Sequence, residues 1–314
     1  MRYWWVNHGR TAAEEVAGRF LWAPEAGRPR NITQADNVRR AGPGDLVLSY
    51  AARLVGAVGQ VADHAFPARR PEGFGRAIRL RGDQGWRLPV AWTPVEPPVR
   101  PADFHADLAP LLPARHSPLN ALGRGEQRAY LCEIGAPAFE RVLRDAAVDL
   151  APLADAATAA PDLAREAEDA AIEAALLADP GLTATEKQQL ATARRGQGVF
   201  RERVRALEPA CRITGVANPW LLIAGHIKPW RLCDTAAERL DGANGLMLTP
   251  DLDRLFDRGF ITFEADGTVV VSPRLDPEVL ERLDLASLPG RRTPPLTPAQ
   301  AAYMAWHRAR VFMS

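Results

Sequence analysis

Hydrophobic and polar positions change period several times along this chain, and each change marks an element. The opening run Arg2 to Asn7 is aromatic and β-branched and predicts a buried strand. Thr11 to Phe20 continues at helical spacing, with Thr11 as cap and Glu14 at the capping-box position. A short polar helix is expected around Gln34 to Arg40. Gly42-Pro43-Gly44-Asp45 then turns the chain into a strand, Leu46 to Tyr50, with Leu54 to Val61 as its partner. Further short strands are expected around Ala77 to Leu80 and Trp86 to Trp92. This half reads as a small, partly closed β-barrel flanked by helices.

From Ala146 to Pro180 the pattern gives way to alanine with scattered acids. Pro152 and Pro161 predict a linker, and Asp162 to Ala178 a helix stopped by Asp179-Pro180-Gly181. Its negative charge makes it an unpromising face for DNA, so it reads as a spacer. Thr185 to Glu208 is helical on both sides of Gly196-Gln197-Gly198. The apolar run Leu221 to Ala224 predicts a strand that delivers His226; Gly245 to Leu248 predicts a second, and Pro250 opens a helix whose first turns hold Asp251 to Asp257. The order is strand, long loop, strand, helix. Phe260 to Phe263 and Thr268 to Ser272 form a hairpin across Asp266-Gly267. A short helix near Pro277 to Leu285 follows. A closing helix runs from Pro298 to about Arg310, with Ala302, Tyr303, Trp306 and Ala309 as its packing stripe and His307 on its surface. The fold class is α+β, divided as 1–147, a partly helical linker 148–182, and 183–314.

Composition adds little to this outline until its distribution is considered. The 314 residues, 47% hydrophobic, suffice for two cores. Lys and Arg total 39 against 38 Asp and Glu, so net charge does not announce a nucleic-acid partner. Lysine occurs only at 187 and 228, and arginine, which suits bidentate phosphate contacts, supplies the other cations. Cys132, Cys211 and Cys233 are too few and too scattered for a disulfide framework or a four-thiolate zinc site. No structural zinc is expected, and a reducing cytoplasm is the expected location. The N-terminus shows no signal-peptide pattern, and no apolar run reaches membrane-spanning length.

Three residues in the strand–loop–strand–helix stretch carry chemistry. Hydrolysing a phosphodiester takes a base to accept a proton from water and a divalent cation to neutralise the phosphoryl and leaving oxygens. One imidazole and one carboxylate on rigid elements supply both, while an amide or a backbone carbonyl holds the imidazole with one nitrogen free. His226, Asp253 and Asn244 are assigned those roles in turn. The pieces Cys211-Arg212-Ile213-Thr214-Gly215, Ala224 to Trp230, Asn244 to Leu248 and Asp253 to Gly259 resemble the HNH nucleases, also called ββα-metal or His-Me finger enzymes. The resemblance implies a magnesium- or manganese-dependent nuclease with His226 as general base, Asn244 as the middle residue of the motif, and Asp253 where many relatives carry a metal-binding His or Asn. One position departs from it: many of these enzymes place a metal-binding Asp directly before the base, where this chain has Gly225. Asp257, one turn beyond Asp253, is a candidate second ligand, with substrate phosphate and water for the rest. Relatives share a segment like Arg194 to Arg201, and Arg30, Arg195, Arg201 and Lys228 are candidate DNA phosphate contacts.

The first half carries a second resemblance. Tyr3-Trp4-Trp5-Val6, Trp22, Asn31 with Ala35, Gly44 to Tyr50, Val55 to Val58 and the tail Leu119 to Ile134 are similar to an EVE domain of the PUA-like group. That implies a pocket for one modified base turned out of a duplex, with aromatic walls and a few donors and acceptors. Trp22 is the first candidate wall, with Tyr50, Trp86 and Trp92 after it. Asn7, His8, Asp36 and Ser49 are candidates for reading the base edge, Asp36 by accepting from the exocyclic amine of cytosine. Together the two resemblances imply a modification-dependent DNA endonuclease of a type IV-like restriction kind, acting on double-stranded DNA that carries 5-methylcytosine or 5-hydroxymethylcytosine. A double-strand break needs two sites, hence a homodimer or two monomers. Two other readings stay open: a modified-nucleic-acid reader with an inactive nuclease fold, and a protein that acts on RNA.

Overall fold

Alternating side chains along the first strand are covered on both faces, and the N-terminal architecture follows from that. The structure is a computed structural model that describes residues 1–25, 32–71, 74, 83–126, 129–146, 148 and 163–314. Two units, Met1–Ala164 and Arg165–Ser314, divide it. The expected strand at Ala77 to Leu80, Arg30 and most of the Pro-containing linker lie outside the described residues.

The first unit runs β1 (Tyr3–Asn7), α1 (Ala12–Ala17), β2 (Phe20–Pro24), α2 (Ile32–Arg40), β3 (Leu46–Ala51), β4 (Leu54–Val61), β5 (Phe66–Arg69), β6 (Gln84–Val99), α3 (His105–Leu108), β7 (Leu131–Ile134) and α4 (Ala136–Leu143). One sheet has the order β2-β6-β4-β3-β1-β7, with β5 also on β6. β1 and β3 are parallel; the other pairs are antiparallel. The 16-residue β6 pairs with β2 and β5 over its first part and with β4 over the remainder, which curls the sheet into a half-barrel. Trp5, Leu48 and Tyr50 pack on one face with Phe139 and Val142 of α4, while Trp4, Val6 and Val47 pack on the other with Val38 of α2. Alternation alone places one of Trp4 and Trp5 inward; with both faces covered, both are fully buried. The capping box at α1 does not form. The Thr11 hydroxyl donates instead to the His8 carbonyl and to the Glu15 carboxylate.

The second unit begins within α5 (Leu163–Ala178) and continues through α6 (Ala184–Arg194), α7 (Gly198–Leu207), β8 (Ile223–His226), α8 (Ala236–Leu240), β9 (Gly245–Leu248), α9 (Pro250–Asp257), β10 (Ile261–Phe263), β11 (Val269–Val271), α10 (Pro277–Arg282) and α11 (Pro298–Arg310). β8 and β9 form an antiparallel pair in which His226 lies opposite Gly245, and β10 and β11 form the expected hairpin. One core joins Phe200 and Val204 of α7, Ala224, Leu246 to Leu248, and Leu252, Leu255 and Phe256 of α9. The α6–α7 turn comes so close to β8 that a Cβ on Gly196 would lie 2.5 Å from the Ala224 carbonyl oxygen, and its φ of +64° is one glycine tolerates.

The stripe assigned to α11 needs correction: its buried positions are Gln300, Met304 and His307, while Ala302 and Ala309 are exposed. Polar side chains face inward because partners meet them there. Gln300 Nε2 donates to Glu208, and the His307 ring stacks on Phe256 and bonds Thr262 and the Phe256 carbonyl.

Candidate active site

β8 ends on His226, and two contacts set its ring. The imidazole stacks on Phe200 of α7 at 3.8 Å between centroids and 1° between planes. Its Nε2 lies 3.0 Å from the Arg239 carbonyl oxygen. That carbonyl can only accept, so Nε2 carries the hydrogen and Nδ1 keeps its lone pair. Burial pushes the imidazole down to about 4, so it is neutral at physiological pH and able to take a proton.

Opposite this base, α9 presents Asp253. An ideal Cβ on Gly225 would lie 2.2 Å from Asp253 Oδ1, so this carboxylate occupies the space that a side chain directly before the base would fill. Burial, and then the charge of Asp257 four residues on, push the Asp253 carboxyl up to about 7. His226, Asp253 and Asp257 line one cavity of about 230 Å³ together with Asp169, Arg194, Arg195, Trp230 and Arg231. A divalent cation fits this acidic wall, because two crowded carboxylates on successive turns are relieved by a positive charge. Among the described residues no three His, Cys, Asp or Glu side chains form a metal cluster, so phosphate oxygens and water would complete the coordination.

Residues 211–264 match the HNH endonuclease family. The second unit thus contains an HNH endonuclease domain, whose substrate is nucleic acid. No curated protein matches the chain. Among solved structures, the NMR structure of Rpa0253 from Rhodopseudomonas palustris aligns over 46% of this chain and 92% of its own, with 14% identity and a TM-score of 0.31.

Within the HNH domain, Asn244 does not touch the imidazole as assigned; the Arg239 carbonyl holds it. Asn244 is fully buried and clamps the loop between the strands. Its Oδ1 accepts from the Lys228 amide at 2.8 Å, and its Nδ2 donates to the carbonyls of Lys228 at 3.2 Å and Glu238 at 3.1 Å. The residue before α8's end thereby reaches the base.

Two proposed phosphate contacts are engaged internally. Lys228 Nζ sits 2.8 Å from both Asp234 and Glu238; burial lowers its ammonium, but these carboxylates outweigh that and raise it. Arg201 donates to the carbonyls of Leu222 at 3.0 Å and Pro219 at 2.8 Å, bracing the turn that leads into β8. Arg195 remains exposed on the cleft wall. Phe200, Arg239 and Arg231 were missed as site residues. Phe200 does fall within the segment Arg194 to Arg201 that the resemblance singled out, whereas a contact made by the Arg239 backbone leaves no trace in residue type.

The first unit holds a cavity of about 500 Å³, lined by Asn7, His8, Trp22, Tyr50, Phe74 and Tyr130 among others. Glu15, fully buried, organises one side: it accepts from Thr11 Oγ1 at 2.9 Å, the Trp22 amide at 3.0 Å and the Tyr130 hydroxyl, and pairs with His8 Nδ1 at 2.6 Å. Two buried polar atoms on lining residues, His8 Nε2 and Trp22 Nε1, have no hydrogen-bond partner among the described residues. Asn7 lines the cavity, but its amide is engaged with Trp5 Nε1 at 2.9 Å and with the carbonyls of Pro118 and Ala129. Asp36 and Ser49 are not among the described lining residues; Asp36 is exposed on α2 and Ser49 is buried in β3. Trp86 and Trp92 pack in and against the core instead.

Proposed function

We propose that this chain is a modification-dependent DNA endonuclease whose first unit holds a modified cytosine, 5-methylcytosine or 5-hydroxymethylcytosine, turned out of a duplex, and whose HNH domain hydrolyses phosphodiesters nearby. The observation that carries the hydrolytic part is the neutral His226, its Nε2 held by a carbonyl and its Nδ1 left as a base, on the same cleft as Asp253. His226 Nδ1 takes a proton from water, the water oxygen bonds to phosphorus, and the bond from phosphorus to the 3′ oxygen breaks. Magnesium or manganese held by Asp253, with Asp257 beside it, supplies positive charge to the phosphoryl and leaving oxygens when bound. Arg195 positions the backbone without reading sequence.

The base-reading part is supported by the size of the first cavity, by its aromatic lining of Trp22, Tyr50 and Phe74, and by polar atoms on His8 and Trp22 that lack partners among the described residues. A flat heterocycle with donors and acceptors on its edge has the chemistry to use such walls.

The test is digestion of otherwise identical DNAs that carry no modification, 5-methylcytosine, 5-hydroxymethylcytosine or N6-methyladenine, with matched modified RNA as competitor. Metal-dependent cutting of the cytosine-modified DNAs alone, lost in His226→Ala, is the expected result. Equal cutting of all four would remove the reader, preferential cleavage of RNA would redirect the substrate, and activity in His226→Ala would remove the assigned base.

A further inference from the structure

The helix α5, which the sequence presents as an acidic spacer, sets one stripe of charges against the nuclease cleft. Arg165, Asp169 and Glu173 recur every four residues and so lie on one face of the helix. Each is paired with a cleft residue. Arg165 Nη1 is 3.7 Å from Asp257, Asp169 Oδ1 is 3.9 Å from Arg231 Nη1, and Glu173 is bonded to Arg194. Arg231, Arg194, Asp257 and Asp169 itself all line the cavity that holds His226 and Asp253. Asp169 feels both arginines: burial raises its carboxyl, and Arg231 and then Arg194 pull it back.

The signs of these charges match those of the substrate. Carboxylates of α5 face the cleft arginines, where a nucleic-acid strand would bring phosphates. The guanidinium of α5 faces a cleft carboxylate, where catalysis calls for a cation. Arginine forks accept carboxylate and phosphate in the same geometry, so the two compete for the same groups.

We propose that Arg231 and Arg194 are phosphate-binding side chains of the HNH cleft, and that α5 occupies them through Asp169 and Glu173 until a nucleic-acid strand takes its place. This rests on the nuclease reading of the cleft. Arg231, only 5% exposed, becomes available to phosphate as α5 leaves. The helix thereby sets a threshold that a strand must exceed before it meets His226.

The experiment measures binding of a short fluorescein-labelled unmodified duplex to the full chain in EDTA, where no cutting occurs, across a salt series. Asp169→Asn with Glu173→Gln removes both competing charges and is expected to tighten binding about 5-fold. Arg231→Gln is expected to weaken it about 10-fold and to reduce the salt slope by roughly one. The opposite signs matter, since merely structural damage would weaken binding in both variants. The proposal is overturned if the double variant, melting as the parent does, binds no more tightly, or if Arg231→Gln leaves affinity and slope unchanged. Should the double variant melt early, Asp169→Asn alone is read by the same criteria. Metal-dependent nicking by the parent is scored separately: its absence would remove the nuclease reading and leave the binding result standing.

Discussion

Gly225 is where a small residue has the largest chemical consequence. A carboxylate directly before the base is replaced by hydrogen, and the space is taken by the Asp253 carboxylate from α9, 28 positions further along the chain. The departure from the usual HNH pattern and the position of Asp253 are thus one arrangement. Gly225→Ala would bring a methyl group to 2.2 Å from Asp253 Oδ1 and force the carboxylate aside. Nicking is expected to fall about 100-fold, the scale expected when a group at the reacting centre moves by about 1 Å, while the melting temperature stays near that of the parent. Plasmid nicking and thermal melting measured on the same preparation check this. Full activity in Gly225→Ala would show that the placement of Asp253 does not matter.

At the scale of elements, the loop between β8 and β9 holds His226 in place. Asn244 ties Lys228 at the loop's start to Glu238 in α8, and the neighbouring Arg239 carbonyl orients the ring. Asn244→Ala leaves three backbone groups, two of them buried, without these partners and is expected to cost about 3 kcal/mol of stability by urea denaturation. A loss below about 1 kcal/mol would mean that the clamp is not needed to hold the loop. Helix α11 makes a second element-level prediction. Burial drives His307 down to about 4 from 6.5, so between those values the unfolded chain binds a proton that the folded chain does not. Its contribution is complete above pH 6.5 and is lost as pH falls to about 4, by of order 3 kcal/mol. His226 titrates in the same direction. His307→Gln is expected to be less stable than the parent at neutral pH but to lose less on acidification, a difference that melting curves across this range would resolve. Identical slopes would show that His307 does not set the acid limit.

On the scale of the whole molecule, each unit has its own hydrophobic core, so the two units are separable. Residues 1–164 alone are expected to bind a cytosine-modified duplex without cutting it. Residues 165–314 alone are expected to nick modified and unmodified DNA equally. Gel-shift and nicking assays on the two pieces check this, and modification-dependent cutting by the second piece alone would place the reader elsewhere. Among the described residues no helix is long and apolar enough to cross a membrane.

Local chemistry determined the elements. The alternation in β1 and β3, the turn at Gly42 to Asp45, Pro250 at the head of α9 and Asp266-Gly267 between β10 and β11 act within a few residues, and they were legible in the chain. His226, Asp253 and Asp257, each commonplace singly, were singled out by their joint spacing and its resemblance to the HNH pattern, and the structure brings them to one cavity. Only the tertiary structure decided which groups are left to act. The Arg239 carbonyl lies 13 positions from the ring it holds. Lys228 and Arg201 carry the charge for phosphate but have it engaged by Asp234, Glu238 and backbone carbonyls. The α5 acids that read as a spacer meet the cleft arginines. Residue type states what a group could bond to, but its actual partner depends on distances that close only when the whole unit folds.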